Sequence, residues 1–130
     1  MFATVFCIAA FAGAVFALGQ RNVTELSAAF AYAGAAIGAV TAGDVLTLFV
    51  FWELMAVAST VVIWAGGERA RRAGLRYAAL HFIGGVLLMA GAAAHVAATG
   101  DPAFTAMSAD TPAGAFFLAA ILLNAGAVPI

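Results

Sequence analysis

From Asp44 to Trp64 the chain is apolar except for Thr47, Ser59, Thr60 and one carboxylate, Glu53. About 20 such residues are what an α-helix needs to cross a hydrocarbon core, so this stretch reads as a membrane span. Glu53 stands nine residues after Asp44. At about 1.5 Å per residue that is close to mid-bilayer, where an acidic side chain costs roughly 2.5–3.5 kcal/mol on insertion scales. Leucine would carry no such cost, so the carboxylate asks for a use of its ionisation.

The remainder of the sequence has the same character. Hydrophobic residues make up 66% of the 130, charged residues 8%, and mean hydropathy is +1.12, well outside the range of soluble globular domains. The expected fold is an all-α integral membrane domain of about five transmembrane helices, near residues 1–18, 26–42, 44–64, 76–98 and 113–130, the last broken or truncated. The net charge of −1 comes from five arginines and six acidic residues grouped between the apolar runs, and no nucleic-acid partner is expected. Cys7, the single cysteine, excludes an intrachain disulfide and a cysteine-ligated metal and reads as a buried, inert thiol. No nucleotide loop, no serine–histidine–acid order and no paired-histidine spacing is present. Neither cofactor nor metal is expected, and the chain reads as non-catalytic.

Met1 to Leu18 lacks the basic start of a signal peptide and its apolar run exceeds a signal core, so it reads as a span. Its beginning is what a piece cut from a longer protein would show. In the second span Gly34 and Gly38 are spaced for close helix approach, with ordinary tight packing the preferred meaning. Asp44 is placed to cap the third helix. Thr60 lies about 20° around that helix from Glu53, with Ala56 between them, forming a polar stripe aimed at a bundle interior or a hydrated cavity.

Glu68, Arg69, Arg71, Arg72 and Arg76 follow in what reads as a short connection. Its positive excess predicts a cytoplasmic location for residues 65–75, and an orientation signal with headgroup contact suffices as its role. His81 and His95 share the fourth span but stand about 21 Å apart along its axis, so they cannot both ligate one haem. His81 falls about 7 Å inside the arginine-side boundary. Either histidine could relay protons or be a hydrogen-bonded packing residue; packing is preferred for His95, and both readings stay open for His81. Gly84 and Gly91 share a face suited to another close helix contact. Thr99 to Pro112, with Asp101 and Asp110, is the longest polar connection and is expected outside. In the fifth span Asn124, Gly126 and Pro129 predict a helix that breaks near the bilayer centre.

In order and separation, G-D-V-L-T-L-F-V-F-W-E-L-M-A-V-A-S, the arginine segment, L-R-Y-A-A-L-H-F-I-G-G and N-A-G-A-V-P resemble the antiporter-like subunit family. This family comprises the proton-pumping membrane subunits of respiratory complex I, the large subunits of Mrp-type multisubunit sodium/proton antiporters and relatives in membrane-bound hydrogenases. Among the large Mrp-type subunits the motifs are most similar to the D type, and the match spans about a quarter of a full member. The resemblance implies that Glu53 is the family's buried glutamate. It also implies that Asn124, five residues before Pro129, stands where the family has a lysine on a broken helix. By the same token it implies other subunits of a membrane antiporter or respiratory complex as partners, a bacterial or archaeal inner membrane, and protons as cargo, with sodium left open.

Two function classes follow. One is a proton- or sodium/proton-translocating subunit, a transport component even where its complex is a redox enzyme such as NADH-quinone oxidoreductase, using Glu53, Asn124, His81 and Thr60. The other is a truncated, non-conducting fragment that only packs or assembles. A haem or quinone enzyme is disfavoured by the histidine depths.

Overall fold

The computed structural model describes residues 1–126, and among these every regular element is helical. The order is α1 (Phe2–Phe16) with a closing 3-10 turn (Ala17–Gly19), α2 (Val23–Thr41), α3 (Val45–Ala65), α4 (Glu68–Thr99) and α5 (Pro112–Asn124). Four helical stretches, Phe2–Gly19, Val23–Thr41, Val45–Ala65 and Glu68–Thr99, are long and apolar enough to span a membrane; Pro112–Asn124 is apolar but shorter. Packing runs chiefly between consecutive helices, so α3 lies against α2 and α4, and α4 against α3 and α5.

Helix starts follow local capping chemistry more closely than hydropathy. Asn22 accepts the backbone N–H of Glu25 at 3.3 Å, so α2 begins at Val23 and takes in Thr24 and Glu25, which hydropathy had assigned to the loop before residue 26. This Asn-x-x-Glu arrangement is a capping signature. Asp44 caps α3 with both oxygens: Oδ1 accepts from the N–H of Leu46 (2.9 Å) and Thr47 (2.8 Å), and Oδ2 accepts the Thr47 hydroxyl at 2.7 Å.

The arginine segment is a correction. Arg69, Arg71, Arg72 and Arg76 lie in the first turns of α4, which starts at Glu68, eight residues earlier than the apolar run. Glutamate, arginine and alanine are strong helix formers, and the break falls instead on Gly66 and Gly67, the latter at φ +92°. All four arginines are exposed, and Arg71 pairs with Glu68 at 2.9 Å. The tight link makes α3 and α4 an antiparallel hairpin. Near its bend a Cβ on Gly74 would stand 2.5 Å from the indole of Trp64.

Two expectations about small residues change. Gly38 accommodates the ring of Phe51 from α3, whereas a Cβ on Gly34 would meet nothing; the pair therefore serves one aromatic side chain on one of its two glycines. Cys7 is exposed, because no residue of α1 is buried. Gly91 does face another helix: an added Cβ would lie 3.1–3.3 Å from Phe117, Ala113 and Phe116 of α5.

At the end opposite the arginines, the α4–α5 connection folds back onto the start of α3. Gly100 closes α4 at φ +74°, the N–H of Val45 bonds to Pro102 O at 3.0 Å, and Val45 is wholly buried. Thr111 caps α5, accepting the N–H of Gly114 at 3.1 Å, with Pro112 in the first turn.

Candidate functional site

Glu53 lies on α3 where that helix meets α4, and its carboxylate rests on Gly85. A Cβ at residue 85 would stand 2.8 Å from Glu53 Cδ and nearer still to Oε1. Glycine is thus the residue that leaves room for the carboxylate between two close helices. Among the described residues Oε1 is buried without a hydrogen-bond partner, and the same holds for Nε1 of the preceding Trp52. Buried polar atoms are nearly always paired with protein or ordered water, so these two atoms are exceptions among the described residues.

Two grooves meet at the carboxylate. One, of about 330 Å³, runs toward the arginine end and includes Glu53, Ala56, Thr60, Trp64, Ala78 and Phe82 in its lining. The other, of about 210 Å³, runs toward the Asp44 end past Phe49, Gly85, Val86 and Met89. Glu53 and Phe82 are the residues common to both. Thr60 shares the first groove with Glu53, and its hydroxyl donates to Ala56 O at 2.7 Å, which leaves its lone pairs to accept from water.

Asn124 is the last residue of α5 and sits on Gly84, where an added Cβ would be 2.7 Å from its Cγ. Its amide donates to Ala120 O at 3.1 Å. The helix ends here, with Gly126 at φ +67°; the expected break at Pro129 lies outside the described residues. Glu53 and Asn124 are thus brought to adjacent residues of α4, the carboxylate on Gly85 and the amide on Gly84.

The histidines separate. His95 is buried, with Nε2 2.9 Å from the backbone oxygen of Ala103, and its ring ties α4 to the connection that covers Val45. His81 is partly buried and flanked by aromatic rings, its centroid 5.2 Å from Tyr77 and 6.1 Å from Trp52. Tyr77 in turn reaches α3, its hydroxyl 2.7 Å from Ser59 Oγ. The arginines stand apart from this site, on the exposed first turns of α4. Sequence reasoning missed Trp52, Ser59 and Tyr77 as neighbours of the site, although the four-residue step from Tyr77 to His81 was a readable sign that they share a face.

A family model described as NADH:quinone oxidoreductase/Mrp antiporter, TM, matches residues 42–130. That match takes in α3, α4, α5 and every residue of the site. Neither a curated protein nor a solved structure matches the chain.

Proposed function

Because the chain belongs to the NADH:quinone oxidoreductase/Mrp antiporter family of membrane subunits, we propose that it translocates protons and that Glu53 is the group that binds them. The coarser statement is the family's own: this is an integral membrane subunit whose partners are the other subunits of a complex I-type or Mrp-type assembly. The observation that supports the finer reading is the buried, unpartnered Oε1 of Glu53 at the junction of two grooves that lead to opposite ends of the α3–α4 pair. A carboxylate there can take a proton from water on one side and return it on the other.

The lining favours a proton over sodium at this position. A hard cation needs several oxygen ligands, and among the described residues lining the two grooves Thr60 is the one besides Glu53 to offer a side-chain oxygen. A proton needs one acceptor and a chain of water. In this reading Thr60 orders water in the arginine-side groove, Asn124 supplies an uncharged polar edge at the end of α5, and His81 exchanges protons nearer the arginines. The excess of arginine supports a cytoplasmic location for that end of α4 by the positive-inside rule, and the sequence motifs favour the D type among the large Mrp-type subunits.

Glu53→Gln tests the proposal in the assembled complex, because it keeps the shape and removes the exchangeable charge. Proton movement across proteoliposomes should be lost while the chain still assembles. Transport at the unsubstituted rate would sink the reading and leave a packed helical subunit.

A further inference from the structure

We propose that His81 carries protons to Glu53 from the arginine side and that Tyr77, latched to α3 through Ser59, is the residue that positions it. The inference rests on the reading of Glu53 as the proton-binding group. Its starting point is the contrast between two histidines on one helix. His95 has committed Nε2 to the Ala103 backbone. Among the described residues no hydrogen bond reaches the ring of His81; it is held by aromatic contacts, tilted by 34° to Tyr77 and 35° to Trp52. Aromatic contacts of this kind orient a ring and consume none of its hydrogen-bonding capacity. Both imidazole nitrogens therefore stay available to water, and a ring with both nitrogens available can accept a proton at one and release a proton from the other.

His81 lines neither groove that reaches the carboxylate, and the register puts its ring about one turn of α4 before the carboxylate's seat, on the arginine side. Tyr77, His81 and Gly85 are spaced four residues apart on α4, so they ascend one face in steps of about 6 Å from the arginine end. Gly85 is where the Glu53 carboxylate rests. Side chains on a helix lean toward its N-terminus, so His81 leans toward Tyr77 and the arginines. Helix α5 ends at Asn124 on Gly84, about one turn of α4 from His81. The titratable and charged groups on the elements around His81 are Glu53 on α3 and, on α4 itself, Tyr77, the buried His95 about four turns away, and Glu68, Arg69, Arg71, Arg72 and Arg76 on the exposed first turns; α5 contributes the uncharged amide of Asn124.

Proton counting assigns Tyr77 its role. Ser59 Oγ lies 2.7 Å from Met55 O and 3.1 Å from Ala56 O, so its single proton is given to its own helix. In the 2.7 Å contact between the two hydroxyls Tyr77 is then the donor. The tyrosine proton is held on Ser59 and directed away from His81, which makes Tyr77 a positioning residue and leaves the transfer to the imidazole. In that transfer, a proton arriving through water binds one ring nitrogen to form imidazolium. The N–H proton of the other nitrogen passes through water to Glu53, and neutral imidazole and a carboxylic acid remain.

The test measures proton transport by the assembled complex in proteoliposomes against pH on the arginine side, for Glu53→Gln, His81→Gln, Tyr77→Phe and the His81→Gln/Tyr77→Phe double variant. His81→Gln should slow transport several-fold and remove a pH-dependent limb that the unsubstituted complex shows, because glutamine cannot take up a proton. Tyr77→Phe keeps the ring and loses the latch, so it should shift that limb and have no further effect once His81 is replaced. A latch that is merely structural would lower the rate equally in both backgrounds, which overturns the assignment of Tyr77. An unchanged pH profile in His81→Gln, with Glu53→Gln inactive, overturns the relay and spares the parent reading. An active Glu53→Gln sinks the parent reading. Should His81→Gln fail to assemble, the Tyr77→Phe profile decides, and an unshifted limb there counts against the relay.

Discussion

Gly85→Ala separates the seat of the carboxylate from the carboxylate itself. The new methyl would stand 2.8 Å from Glu53 Cδ, well inside contact distance, so one of the two must move. The obstructing atoms are the far end of a flexible side chain, and a rotation of Glu53 into the adjoining grooves relieves them. An off-rotamer torsion costs about 0.5–1.5 kcal/mol, and replacing glycine by alanine inside a helix returns about 1 kcal/mol. These nearly cancel, so the thermal midpoint and the yield of assembled complex should stay within experimental scatter of the parent. Transport should not. A displaced carboxylate that must regain its seat to exchange a proton carries that torsional cost, about 1 kcal/mol, into the transfer step, and each 1.36 kcal/mol is a factor of about ten in rate, so proton flux in proteoliposomes should fall roughly five-fold. Gly85→Ala with full flux and full assembly would refute the claim that this seat matters. Failure to assemble would show that the close approach of α3 and α4, and not the side chain, sets the tolerance at residue 85.

Two further outcomes are expected. Gly38→Ala should destabilise the chain by about 1–3 kcal/mol because the ring of Phe51 fills the space a methyl would need, whereas Gly34→Ala, where nothing lies nearby, should be neutral or slightly stabilising; parallel denaturation in detergent distinguishes them. The Asp44 carboxyl is held below its ordinary value of 3.8 first by the Thr47 hydroxyl, then by the Thr47 N–H, with Leu46 adding a smaller contribution. A group whose value is depressed on folding contributes stability that is complete above its unfolded value and is lost as pH falls through the folded one. The melting temperature should therefore drop below about pH 4 in the parent, and Asp44→Ala should melt lower at neutral pH with less change across that acid window.

What the sequence disclosed and what it hid divide along a physical line. The apolar runs, the Asp44 cap and the anomaly of Glu53 are local or compositional, and each is visible within a few residues. Hydropathy places the start of α4 too late because charged residues lower it as a loop does, although Glu68 to Arg76 is rich in helix formers and the link is the glycine pair just before it. It misplaces the start of α2 for the same reason, passing over the Asn22–Glu25 cap. Glycines were legible as close contacts and illegible as to what they contact. Gly91 meets α5, Gly38 takes a ring, and Gly84 and Gly85 hold an amide and a carboxylate. A missing side chain gains its meaning from the neighbour that fills the space, and that neighbour is set by tertiary packing.

The placement of Glu53 and Asn124 bears on how a deep carboxylate is tolerated in a sequence with no lysine. Gly84 and Gly85 have Cα atoms about 3.8 Å apart but project about 100° apart around α4. The carboxylate therefore comes to α4 from α3, and the amide from α5, along two sides of the same turn. The amide spends one donor on its own helix and carries no charge, and the four arginines of α4 are exposed at its first turns, so no fixed cation accompanies Glu53 among the described residues. Glu53 is partly buried, and leaving one of its oxygens buried and unpaired carries a cost that an apolar residue of similar size would not. In the proposed function that cost is offset by water in the two grooves, by a proton on the carboxyl and by exchange with the imidazole of His81, about one turn of α4 from Gly85.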